Sequence, residues 1–279
     1  MLAYRDTDVD TITLLALRML FSLPFFIGAA VFASQKENNQ RFTLKQWIYV
    51  AIIGMMGYYV SSFLDFVGLR YVSAGIERLI LFIYPTFVVI ISAVWFKVQV
   101  TKRQVGALII TYSGLCIAYI SEARVQSIDS DFFFGSFCIF ICAITFAIYI
   151  AGSDKLIPAI GSVKFNSYAM SFASLGVLAH FAVTSDKSLL GLQTEVYGYA
   201  AFMAIISTVI PSYLVSIGLK HLGANNTAII SSLGPISTIL QASYFLDEQV
   251  TALQWLGTFC ILIGILMISW KANATTGLK

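Results

Sequence analysis

Four ionisable residues lie where an apolar chain has little reason to keep them: Arg18, Asp65, Glu77 and Arg78. Glu77 and Arg78 open the run "GIERLILFIYPTFVVIISAVWF", residues 75–96, which is of membrane-spanning length and holds Pro85 near its middle. An ionisable side chain inside such a run is expensive, and it marks a functional site by default. The chemistry open to these four is charge pairing: an outer gate, or the binding of a coupling ion. The competing account is snorkelling of long side chains to the interface; it suits Arg70 and stays open for Arg78. Arg18 lies about 10 Å inside its run at 1.5 Å per residue, and Asp65 is the acid at the nearest depth on another run. Glu77 sits at a helix start, where the helix dipole favours an anion; Arg78 gains nothing from that end and is expected to face a carboxylate.

The elements that must hold these charges follow from composition. Of 279 residues, 58% are hydrophobic and only 11% charged, with a mean hydropathy of +0.84. A soluble domain carries roughly a quarter charged residues, so the chain belongs to the polytopic membrane class. Apolar stretches long enough to cross the hydrocarbon core fall at 12–34, 46–67, 75–96, 104–121, 132–152, 165–183, 196–217, 226–246 and 252–270, nine in all. All-α architecture is expected. Met1 is followed by the acidic "RDTDVD" and not by a signal peptide.

Alternate connections differ in charge. One set holds Lys36, Arg41, Lys45, Lys97, Lys102, Arg103, Lys155, Lys164, Lys220, Lys271 and Lys279; the other holds only Arg5, Arg70, Arg78, Arg124 and Lys187. Excess Lys and Arg mark the cytoplasmic side. The C-terminus is therefore expected inside and Met1 outside.

A shift of 150 positions aligns the chain with itself. "GLRYVSAG" from Gly68 meets "GLKHLGAN" from Gly218, Pro85 meets Pro235, "QVT" at 99–101 meets "QVT" at 249–251, Gln104 meets Gln254, and Gly114 meets Gly264. Lys97 meets Asp247, a charge reversal at one corner that fits copies inserted in opposite senses, a common plan of transporters. The second copy has five spans and the first has four. Residues 1–130 read as one repeat lacking its first helix and 131–279 as the second, so the intact architecture is expected to be a ten-helix inverted five-plus-five repeat. A native nine-helix protein is the alternative.

The spans have polar faces. Gly54, Tyr58, Ser61 and Asp65 share one side of a helix, as do Thr227, Ser231, Gly234, Thr238 and Gln241. Lining of a path and close packing of helices are both open for these stripes, with Tyr58 and Gln241 large for a close contact. Pro85, Pro211 and Pro235 each remove a helical donor and mark kinks, which either border a central site or only shape the bundle. Cys116, Cys138, Cys142 and Cys260 fit small apolar filler; His180 and His221 are isolated. Neither metal nor cofactor is expected.

Two copies of five helices, the "GL(R/K)…A…P" pattern entering a kinked span, the "FLDEQVTALQWLGTFCILIGI" segment of the second copy and "LALRML" around Arg18 resemble the drug/metabolite transporter superfamily and, within it, the EamA group. The first copy departs from it at "FKVQVT", where Val98 stands in place of Glu248. The resemblance implies an inner-membrane exporter of amino acids or other small metabolites; some members import. The expected function is a multi-pass inner-membrane secondary transporter moving a small polar metabolite outward by alternating access, not an enzyme. Tyr58, Tyr84, Ser231, Thr238 and Gln241 would line the substrate cavity, and Arg18, Asp65, Glu77 and Arg78 would gate or couple. An importer is the runner-up, and a non-transporting structural subunit is a further alternative. The expected partners are the small-molecule substrate, the lipid bilayer and a coupling ion such as a proton, with no nucleic acid and a homodimer left open.

Overall fold

The computed structural model describes residues 11–35, 42–72, 74–123, 130–185, 188–234, 237 and 252–275. The described chain is nearly all helical: α1 (Thr11–Ser34), α2 (Leu44–Gly54), α3 (Ser61–Gly68), α4 (Ala74–Leu81), α5 (Tyr84–Val94), α6 (Lys102–Ala123), α7 (Ser130–Ile160), α8 (Ser162–Thr184), α9 (Thr194–Met203), α10 (Ile210–Ile230) and α11 (Ala252–Thr275). Two π-helical turns, Met55–Val60 and Ala204–Val209, join α2 to α3 and α9 to α10. Among the described residues six helical stretches are long and apolar enough to cross a membrane, and Trp255–Met267 is a shorter apolar helix. Most of the expected span 226–246 lies outside the described residues.

Local sequence explains several boundaries. Thr43 caps α2 reciprocally with Gln46: the Gln46 N–H donates to Thr43 Oγ1 at 3.3 Å and the Thr43 N–H to Gln46 Oε1 at 2.9 Å. Thr101 and Gln104 repeat this box before α6 at 3.2 and 3.0 Å. The "QVT" at 99–101 with Gln104 three residues later is thus a helix-start signal, satisfying donors that a helix N-terminus otherwise leaves open.

The described chain forms two compact units, each drawing on both halves of the sequence: residues 1–62 with 152–221, and 63–151 with 222–279. In the first unit α1 packs along α8 and α9. Leu14 and Leu17 of α1 bury against Val196 and Ala200 of α9, and the Ser174 hydroxyl donates to Met19 Sδ at 3.7 Å. A Cβ on Gly54 would stand 2.4 Å from the Ala169 carbonyl oxygen, so α2 touches the α8 backbone there.

In the second unit α6 packs along α11, its partner under the 150-residue shift. A Cβ on Gly114 would lie 2.6 Å from the Gly257 carbonyl oxygen, and one on Gly264 would lie 2.9 Å from that of Ala107. These contacts are reciprocal, since 114 and 264, and 107 and 257, are both repeat mates. Residue number rises along α6 as it falls along α11, so the mates run antiparallel, as copies of opposite sense require.

Candidate functional site

The first expected kink is a real break. The span around Pro85 divides into α4 and α5, with Phe82 and Ile83 in a turn between them. In the second copy a short 3₁₀ turn, Ser231–Leu233, occupies the matching place. Pro85 offers no N–H; beside it the Thr86 N–H donates to the Ile83 carbonyl at 3.0 Å, and the Tyr112 hydroxyl of α6 joins both, accepting the Thr86 N–H at 3.1 Å and donating to the Ile83 carbonyl at 3.3 Å. Pro235 falls outside the described residues, as do Thr238 and Gln241.

Tyr84 and Ser231, both expected to bind substrate, come together in the second unit. The buried Tyr84 hydroxyl donates to the Ala228 carbonyl at 3.2 Å and lies within hydrogen-bonding reach of the Ser231 side chain. Phe146 meets the Tyr84 ring edge-on at 5.1 Å between centroids.

The charged group also assembles in this unit. Glu77 is 1% exposed, and its Oε2 stands 3.2 Å from Arg78 Nε. The Asp65 carboxyl adjoins that of Glu77, close enough for a hydrogen bond between them when one is protonated. Cys142 of α7 is buried beside both carboxyls and next to the Asp65 backbone amide. Two carboxyls, one guanidinium and a thiol therefore share one buried neighbourhood. Arg18 is half-buried on α1, in the first unit.

Sequence reasoning passed over two features here. Cys142 looked like apolar filler, and nothing in its spacing pointed to the carboxyls. The second is Asn225, 5% exposed, beside the equally buried Thr227 of the expected stripe, which holds in the second copy the place of Glu77. Among the described residues neither amide atom of Asn225 nor Thr227 Oγ1 has a hydrogen-bond partner. Beside them Gln104 Nε2 donates to Asn226 Oδ1 at 3.0 Å. The shift by 150 gave the signal, because it pairs Thr227 with a buried acid.

In the first unit Tyr58 is half-buried in the turn Met55–Val60. The expected stripe Gly54, Tyr58, Ser61, Asp65 does not run as one α-helical face. A π-turn inserts a residue, and at 3.6 residues per turn that rotates all later side chains by about 100°. Ser61 instead donates its hydroxyl to the Gly57 carbonyl. Pro211 follows the second π-turn, which is shifted from the first by 149 residues. Proline alone does not cause these bulges, because the first copy has Ser62 there. Between α8 and α10, Asn166 Nδ2 donates to Ser212 Oγ at 3.0 Å, and Ser167 and Tyr213 hydroxyls meet at 2.7 Å.

A helical membrane protein with two interleaved copies, each interrupted by a π-turn and a break at matched places, is the architectural class this geometry defines. Within that class the chain belongs to the EamA-like transporter family, whose model matches residues 3–120 and again 133–270. It is 30% identical over 222 residues to the uncharacterized transporter YcbK of Bacillus subtilis (strain 168), covering 76% of this chain and 70% of that one. It is 25% identical over 250 residues to an uncharacterized transporter of Archaeoglobus fulgidus, covering 90% and 87%. A crystal structure 16% identical in sequence superposes with a TM-score of 0.78 over 98% of this chain and 92% of that one, a likeness of fold.

Proposed function

We propose that this membrane transporter is a secondary exporter of a small polar metabolite, an amino acid or related compound, working by alternating access in the inner membrane. The observation that carries this reading is the matched pair of irregularities: π-turns at Met55–Val60 and Ala204–Val209, and breaks at Phe82–Ile83 and Ser231–Leu233. Broken backbone at membrane depth is tolerated where it is buried in protein or lines a water-filled cavity, and a site at the repeat interface is where inverted repeats bind their cargo.

Tyr58, Tyr84, Ser231, Thr238 and Gln241 serve in this proposal as cavity residues, and Arg18, Asp65, Glu77 and Arg78 as gate and coupling group. Asp65, Glu77 and Arg78 together carry one net negative charge when all are ionised. Taking up one proton makes the trio neutral, so a proton is the coupling ion that fits. The excess of Lys and Arg on one set of connections supports a cytoplasmic C-terminus.

The test is counterflow in vesicles holding the purified full chain, with labelled amino acids and related small metabolites, with and without a pH gradient. Saturable accumulation lost in Asp65→Asn and Glu77→Gln supports the proposal. Inward flux alone under an outward proton-coupled drive would favour the importer. Absence of flux for every solute, with the folded protein present, overturns transport and leaves a structural subunit.

A further inference from the structure

Among the described residues Glu77 is the most buried acid or base, at 1% exposure. A buried carboxylate is held by a countercharge together with hydrogen-bond donors. Glu77 has the countercharge: its Oε2 stands 3.2 Å from Arg78 Nε. Yet neither of its oxygens accepts a hydrogen bond from a nitrogen or hydroxyl of the described residues, and Arg78 Nε donates none. The reason is local. Neighbours in a helix do not face each other, so Arg78 reaches Glu77 only by folding back. It does not make the two parallel bonds with which a guanidinium grips a carboxylate, and its side chain stays 37% exposed.

The surroundings add a second acid. Asp65 adjoins the same carboxyl, so two acids share a loosely engaged guanidinium. Cys142, 3% exposed, backs both, and Arg78 with the half-buried Asp65 forms the open side. Asp65 stands two residues before the end of the expected span 46–67, and Glu77 two residues after the start of 75–96. At 1.5 Å per residue both lie about 3 Å inside their spans, within reach of interfacial water. The fold itself does not require these charges, since the repeat mates of Asp65, Glu77 and Arg78 are Val215, Thr227 and Ala228.

We infer that the Asp65–Glu77 carboxyl pair is a receptor for a primary ammonium group, and that Arg78 is the tethered cation this group displaces. The pair supplies both countercharge and acceptors. A primary ammonium brings one positive charge and three donors, the hydrogen bonds that Arg78 leaves unmade on Glu77. A quaternary ammonium brings the same charge without a donor and is held less well. Released from Glu77, the Arg78 side chain turns to its exposed flank; when the cargo leaves, the guanidinium returns and keeps the carboxylate countered. This inference rests on the transport reading and names the charged group its cargo presents.

The test is thermal unfolding of the purified full chain in ethylammonium chloride, against tetramethylammonium chloride and sodium chloride at equal concentration. The rise in Tm with ethylammonium should be at least twice that with either other salt. Arg78→Ala removes the tethered competitor, so its ethylammonium rise should exceed that of the unaltered chain. Glu77→Gln should lose the difference between salts, and Arg70→Gln, at an exposed arginine outside the group, should keep it. Should Arg78→Ala not fold, Arg78→Gln, which retains more of the side chain's bulk, is expected to show the enlarged rise. Equal rises from ethylammonium and tetramethylammonium, an ethylammonium-specific rise retained in Glu77→Gln, or a smaller rise in the folded Arg78 variants overturn the site. An ammonium-specific shift without flux in the vesicle assay would leave this site standing and remove the transport reading. Flux without such a shift would do the reverse.

Discussion

The Tyr112 hydroxyl takes the Thr86 N–H at 3.1 Å and stands 3.3 Å from the Ile83 carbonyl, bridging from α6 the two helix ends that Pro85 separates. The Thr86 N–H also donates directly to the Ile83 carbonyl at 3.0 Å, so the hydroxyl on a neighbouring helix gives each of these backbone groups a second partner beside the proline break. Its repeat mate is Leu262, so the second copy has no such bridge at this place.

Tyr112→Phe is expected to lower the melting temperature of the purified protein. The Thr86 N–H and the Ile83 carbonyl keep their direct bond at 3.0 Å, so the loss is that of the added hydrogen bonds, about 0.5–1.5 kcal/mol each. Combined with Pro85→Ala, which returns an N–H to the helix, Tyr112→Phe should cost measurably less. Equal costs in both backgrounds would show that Tyr112 does not serve the proline break.

The reciprocal glycines of α6 and α11 should be intolerant of the smallest side chain. Gly264→Ala places a Cβ 2.3 Å from Thr111 Oγ1 and 2.9 Å from the Ala107 carbonyl oxygen. Overpacking of this kind costs typically 1–3 kcal/mol. Gly28→Ala meets nothing within 4 Å and should be neutral. Folded yield and melting temperature of the two variants, side by side, check the contrast; indistinguishable values would mean that α6 and α11 pack less closely than their backbones indicate.

How far the sequence discloses this molecule depends on the range of the interaction. The break at Pro85, the start signal in "QVT" and the pairing of Gly114 with Gly264 were all legible, because each rests on a local residue type or on the 150-residue shift. The Glu77–Arg78 contact was legible for the same reason, being adjacent in sequence. The π-turns were not: Met55–Val60 contains neither proline nor any polar run to announce an inserted residue, and its close neighbours, Ala169 against Gly54 and Gly176 against Met55 and Tyr59, are distant in sequence. Cys142 beside the two carboxyls was illegible too, since α7 meets Asp65 through tertiary packing. Depth along a span suggested Arg18 as the partner of Asp65; depth carries no information on which way a helix faces, and within the second unit the Asp65 carboxyl adjoins Glu77.

Orientation has its own test. A reporter active only in the cytoplasm should signal when fused after Lys102 and stay silent when fused after Asp186. Lys102 belongs to the basic set of connections and Asp186 to the acidic one. The reversed pattern would overturn the placement of the C-terminus inside, and with it the outer position of the charged group.

Removing Arg78 should be worse than removing the whole ion pair. Glu77 is 1% exposed and its Oε2 lies 3.2 Å from Arg78 Nε. Arg78→Ala leaves a buried carboxyl beside Asp65 with its adjacent countercharge gone; because the Arg78 side chain is 37% exposed, the cost should fall below that of breaking a fully buried pair, about 3–5 kcal/mol. Adding Glu77→Gln removes the stranded charge, so the double variant should recover folded yield relative to Arg78→Ala alone. Cycles of Asp65→Asn with Arg18→Gln, and of Asp65→Asn with Glu77→Gln, then apportion Asp65 between its expected partner and its observed neighbour, because interacting sites depart from additivity by about 0.5–3 kcal/mol and distant ones do not. The carboxyl pair predicts non-additivity in the second cycle whatever the first gives. Recovered yield without recovered flux in Arg78→Ala with Glu77→Gln would assign the group to gating or coupling. Recovery of both would make it structural, and strict additivity in both cycles would remove Asp65 from the charged group.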